Sequence, residues 1–134
     1  MKRRLGVALG ASALSTLVAL AGPAFAQAAD AGRAEYEAHC LACHGPTGRG
    51  DGPESRDLKL PVPDLALLAR RNGGEFPLER VRRSIDGRDA IKGHAGRAMP
   101  IWGLRFARGQ GEPDAVVARR LDALAEYLRS LQVR

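Results

Sequence analysis

The stretch Cys40-Leu41-Ala42-Cys43-His44 contains every cysteine of the chain, spaced i and i+3, with a histidine directly after the second. Two thiols one helical turn apart can each add across a vinyl group of a porphyrin. The next side chain then swings its imidazole under the ring to bind iron, so the order Cys, Cys, His follows from the stereochemistry of covalent haem attachment. Three other readings compete. A dithiol redox site calls for a βαβ surrounding, which this sequence lacks. A structural zinc site needs four ligands from separated knuckles, and His39, Cys40, Cys43 and His44 are too crowded to close one tetrahedron. A disulfide here would bridge a very small loop and stabilise little.

An iron with one imidazole still needs a sixth ligand or an open position. Apart from Met1 the one methionine is Met99, set in the glycine-rich run Gly96-Arg97-Ala98-Met99-Pro100-Ile101-Trp102-Gly103. Pro100 restricts the backbone before it to an extended form, which suits holding a thioether at a fixed distance. His94, five residues upstream, is the rival ligand, and Met99 could instead plug the core. His39 is read as pointing to solvent or bonding locally.

Working outward, residues 30 to 43 favour a first helix, with Asp30 as N-cap and Gly32, Tyr36 and Cys40 on one face. From Gly45 to Pro63 glycine and proline dominate, and the run from Gly45 to Pro53 cannot hold regular structure. A short helix follows from Asp64 to Arg71. Pro77 then opens another running to Asp86, with Leu78, Val81 and Ile85 inward and Gly87 as its stop. Seven glycines and prolines between residues 87 and 112 predict a second long loop without helix or strand. The last helix begins after Pro113, with Val117, Leu121, Leu124, Leu128 and Leu131 as its apolar stripe. No β-alternation appears, so the fold class is all-α with two long connections, and loops of that length call for something to wrap.

Lys2, Arg3 and Arg4 precede an apolar, small-residue stretch from Leu5 to Ala21, and Ala24-Phe25-Ala26 is a small-x-small cleavage site. Residues 1–26 therefore read as a cleaved secretory signal and residues 27–134 as one domain, with export to the periplasm. The alternative is a retained anchor, for which the glycines and serines of the stretch make a weak span. The formal charge of +6 includes three from Lys2, Arg3 and Arg4, so without them it is +3. The remaining arginines alternate with carboxylates, unlike the basic, aromatic-studded stripe of a nucleic-acid binder. No nucleic acid and no membrane span in the mature form are expected. The chain of 134 residues is 45% hydrophobic but only 4% aromatic, so a bound ring would supply apolar bulk that the side chains lack.

Together, Gly32-x-x-x-Tyr36-x-x-x-Cys40-x-x-Cys43-His44-Gly45, Gly48-x-Gly50-x-Gly52-Pro53, Ile85-Asp86-Gly87-Arg88, Met99-Pro100-Ile101-Trp102-Gly103 and Leu124-Ala125-Glu126-Tyr127-Leu128 resemble a bacterial class I cytochrome c. The resemblance covers nearly all of residues 30 to 134. It implies the cytochrome c fold, with terminal helices crossing at Gly32, Tyr36 and Tyr127 and with short middle helices and two loops enclosing one haem c. Cys40 and Cys43 would carry the thioethers, and His44 and Met99, or alternatively His94, would bind the iron. The Pro53 carbonyl would accept from His44 Nδ1, and Trp102 and Arg88 would pair with the haem propionates. The implied function is one-electron transfer between a redox protein donor and acceptor, as a monomer or as a subunit of an oxidoreductase complex rather than as an enzyme itself. The alternatives are a haem c sensor or catalytic domain with a displaceable sixth ligand, and a membrane-tethered subunit. The chain departs from longer mitochondrial members in lacking a dense lysine ring.

Overall fold

The computed structural model of the chain describes residues 22–88, 99–109 and 111–133, with side chains from residue 29 onward. His94 and the start of the expected export signal lie outside the described residues. The described residues form helices and loops without a strand, in the order α1 (Gly22–His39), α2 (Leu41–His44), α3 (Leu68–Arg71), α4 (Leu78–Asp86), α5 (Trp102–Gly109) and α6 (Asp114–Ser130). Short 3-10 turns occupy Pro53–Asp57 and Leu65–Leu67.

The apolar stripe of α6 organises the interior. Val117, Leu121, Leu124 and Leu128 are buried and Leu131 packs at the margin, as the spacing predicts. Each such side chain contributes about 1.5–3 kcal/mol of burial. α1 crosses this helix at a glycine. A Cβ on Gly32 would fall 2.7 Å from the Ala123 carbonyl carbon and 2.9 Å from Tyr127 Cβ, so only a residue without a side chain allows the two backbones this approach. Beside the crossing, the rings of Tyr36 and Tyr127 meet with centroids 5.2 Å apart. α4 then lays Val81 and Ile85 against α6, and Gly87, in the left-handed region at φ 65°, ends it. The terminal turn of the chain is held by Gln132, whose amide donates to the carbonyls of Leu65 (2.8 Å) and Leu128 (2.7 Å) and accepts from Ala69 N–H (2.8 Å).

Four sequence expectations need correction. α1 starts at Gly22, so Asp30 lies inside it; the alanine-rich run before Asp30 continues the helical hydrogen bonding that a cap would have begun. Pro77 is the N-cap of α4 rather than a residue of its first turn. The first connection contains the 3-10 turn at Pro53–Asp57. The second connection contains α5, whose Trp102 and Phe106, four residues apart, are both buried. Its glycines misled the reading: Gly109 marks the end of the helix. Gly103 sits where Arg88 Nε would lie 2.8 Å from any Cβ, so it records close packing rather than irregular backbone.

Candidate functional site

α2 is one turn of helix whose exposed carbonyl end is capped by the glycine loop that follows. Gly45 N–H donates to Leu41 (2.8 Å), Gly50 N–H to His44 (2.8 Å) and Gly52 N–H to Cys43 (3.2 Å). The loop therefore wraps the motif it follows, satisfying carbonyls that a four-residue helix leaves orphaned. Gly52 is needed for this approach, since a Cβ there would lie 2.6 Å from the Leu41 carbonyl oxygen. From the other side, the Tyr36 hydroxyl donates to the Gly45 carbonyl at 2.6 Å.

Held in this way, His44 is buried, with its Nδ1 lacking a hydrogen-bond partner. Burial pushes its pKa below the usual imidazole value, so the ring is the neutral form that binds metal. The Pro63 backbone acts against that shift. Pro63, not Pro53, lines the same cavity as the imidazole. Pro53 is exposed and opens the turn that carries Glu54, whose carboxylate lies 3.8 Å from Cys43 Sγ. Both cysteines are free. Burial pushes Cys40 up to about 12, and Cys43 is also raised, by burial and by the neighbouring Glu54.

His44 faces a cavity of about 340 Å³, which also takes in Tyr36, Cys40, Pro63, Leu65, Leu68, Val81, Ile85, Met99, Leu124 and Leu128. This falls within the roughly 300–1,000 Å³ of small-molecule sites. The cavity is apolar apart from a few groups, Arg80 and Ser84 of α4 among them. Donor set and cavity therefore fit a flat apolar ring with a metal at its centre: an attachment sulfur, an orphaned buried imidazole and a thioether, Met99, share one wall system.

Trp102 and Arg88 do not line it. Trp102 packs its ring 5.0 Å from His39 and 5.5 Å from Phe106, between α1 and α5. Arg88 is engaged elsewhere, donating from Nε to Asp86 (2.6 Å) and from NH1 to Asp114 (3.3 Å), which staples the end of α4 to the start of α6. Sequence reasoning missed Pro63 and Arg80. The first had a signal in the stiff Pro61-Val62-Pro63-Asp64 run, where the Asp64 carboxylate caps the next turn by accepting from Ala66 N–H at 2.9 Å. The second had one in Pro77, Arg80 and Ser84, which flank the stripe of Val81 and Ile85 at helical spacing.

A family model described as "Cytochrome c" matches residues 29–132. The chain belongs to the cytochrome c family. No curated protein and no solved structure matches it. Membership states the coarse function: a cytochrome c binds haem covalently through cysteine, here Cys40 and Cys43, and works in electron transfer with redox partners. Among the described residues, no helix of this cytochrome is long and apolar enough to cross a membrane.

Proposed function

We propose that this cytochrome is a periplasmic one-electron carrier of a respiratory or dehydrogenase chain, with a single haem c held by Cys40 and Cys43 and bound at iron by His44 and Met99. The observation that carries the reading is that Met99 and His44 line the same cavity as Cys40. When bound, haem supplies a ferric/ferrous couple that exchanges one electron.

The chain's own groups suit that couple. His44 offers a neutral imidazole, kept so by burial. Met99 offers a soft sulfur, which favours the reduced state and raises the potential. Leu65, Leu68, Val81 and Leu124 exclude water from the cavity, and Tyr36 and the glycine loop hold His44 in place. Cys43 lies nearer the surface than His44, beside exposed Glu54. That edge is where a docked partner would come nearest. Residues 1–26 serve in this reading as the export signal that brings the chain to the compartment of haem attachment.

The test is the near-infrared sulfur-to-iron charge-transfer band of the ferric protein. It is expected at neutral pH, to persist in His94→Ala and to vanish in Met99→Ala, whose ferrous form should bind carbon monoxide at once. Absence of the band in the unmodified protein, or immediate carbon monoxide binding by it, favours the sensor or catalytic alternative and refutes the carrier.

A further inference from the structure

Asn72 is the one asparagine of the chain, and Gly73 follows it directly. Asparagine is among the thermolabile residues, because the backbone nitrogen after it can attack its side-chain carbonyl carbon. A following glycine has no side chain to obstruct that approach. The pair lies in the turn between α3 and α4, where Gly73 and Gly74 are exposed.

Three features of this turn favour the attack. The Gly73 N–H has no hydrogen-bond partner among the described residues, whereas the N–H groups on either side, of Asn72 (3.0 Å) and Gly74 (2.9 Å), both donate to the Ala69 carbonyl. A Cβ placed on Gly73 or Gly74 would meet no heavy atom within 4 Å, so nothing packed against the turn resists rotation of the Asn72–Gly73 link. The Asn72 carbonyl is also polarised already. Arg80 donates to Oδ1 at 2.9 Å, while Nδ2 donates to the Glu75 carbonyl at 2.8 Å, which fixes which way the amide faces. No carboxylate of the described residues lies within ion-pairing distance of Arg80, so its whole charge bears on the oxygen where negative charge develops during the attack.

We propose that Asn72 is a self-modification site, which deamidates through Gly73 with Arg80 stabilising the charge that forms. A bond forms between Gly73 N and Asn72 Cγ as the Cγ–Nδ2 bond breaks, and the Gly73 amide proton leaves with Nδ2 as ammonia. Water then opens the resulting cyclic imide at either carbonyl, giving aspartate or isoaspartate. Neither step transfers an electron. In the aspartate product a carboxylate takes the place of the amide, so a hydrogen bond from Arg80 to a neutral group becomes a charge-assisted one that ties the turn to α4.

The test incubates the full exported chain in warm, mildly alkaline buffer and follows its intact mass, which reads this site whether or not haem is attached. The expected result is a gain equal to the exchange of NH2 for OH, with isoaspartate at residue 72 detected by enzymatic methylation. Asn72→Gln should keep its mass. Arg80→Leu should convert severalfold more slowly than the unsubstituted chain, and Arg83→Leu, on an exposed position of the same helix, at the unsubstituted rate. An unsubstituted chain that keeps its mass while a synthetic peptide of residues 70–79 converts overturns the proposal. So does an Arg80→Leu protein that converts as fast as Arg83→Leu. Should Arg80→Leu yield no folded protein, Arg80→Gln, which keeps an N–H donor without the charge, decides: slower conversion supports the assignment and an equal rate overturns it.

Discussion

The Tyr36 hydroxyl on the first helix donates a 2.6 Å hydrogen bond to the carbonyl of Gly45, the residue directly after His44. The bond ties the helix crossing to the loop that follows His44. Tyr36→Phe should therefore lower stability by about 0.5–1.5 kcal/mol, because the buried carbonyl loses its shorter hydrogen bond and keeps only the Gly48 N–H at 3.3 Å. Chemical denaturation of the haem-loaded protein measures this.

The same phenol gives a pH prediction. Burial raises the Tyr36 pKa above its ordinary 10.0, so the unfolded chain releases this proton first. Its contribution is fully present below pH 10 and is lost as pH rises toward the folded value. Tyr36→Phe should flatten part of the alkaline loss of stability, read as denaturation midpoints at pH 9 and above. An unchanged alkaline slope contradicts the burial argument.

At the crossing itself, intrinsic helix propensity and packing make opposite predictions for Gly32→Ala. Propensity favours alanine by about 0.5–1 kcal/mol. Packing opposes it, because the Cβ would collide with the Ala123 backbone. A collision with backbone cannot be relieved by a rotamer change, so packing wins, and a net loss of about 1–3 kcal/mol is expected. A gain in the denaturation midpoint refutes the crossing geometry.

Arg120 anchors a second junction. It donates to Glu35 from Nε (2.7 Å) and NH2 (2.8 Å) and to Glu112 from NH1 (2.9 Å), and lies 3.8 Å over the Phe106 ring. Its side chain is 14% exposed, against 65% for Arg33 in the surface pair with Glu37. Arg120→Ala should cost about 2–4 kcal/mol, since two partly buried carboxylates lose their partner. Breaking the surface pair by Glu37→Ala should leave the midpoint unchanged.

Legibility in the sequence followed the range of the interaction. The α6 stripe, the stop at Gly87 and the attachment motif each depend on residues within a few positions, and each was readable. Gly32 was readable too, through the family pattern and the spacing to Tyr36. What escaped were positions whose meaning depends on a distant partner. Pro63 matters because the loop folds back on His44, and Arg120 reads as a solvated charge until α1 brings Glu35 to it. Arg88 was expected at the haem propionates, whereas Asp86 and, from the last helix, Asp114 hold it. α5 was hidden because Gly103 answers to the Asp86 and Arg88 side chains and not to its own neighbours.

In the proposed function one tetrapyrrole is bound through Cys40 and Cys43 in the cavity that His44 and Met99 line. Intact mass of the exported protein, taken after acid-acetone extraction, tests it directly. The expected mass is the polypeptide plus one haem, with no titratable thiol, and the stable adduct should be lost in Cys40→Ser/Cys43→Ser. A polypeptide of unmodified mass with both thiols titratable contradicts it.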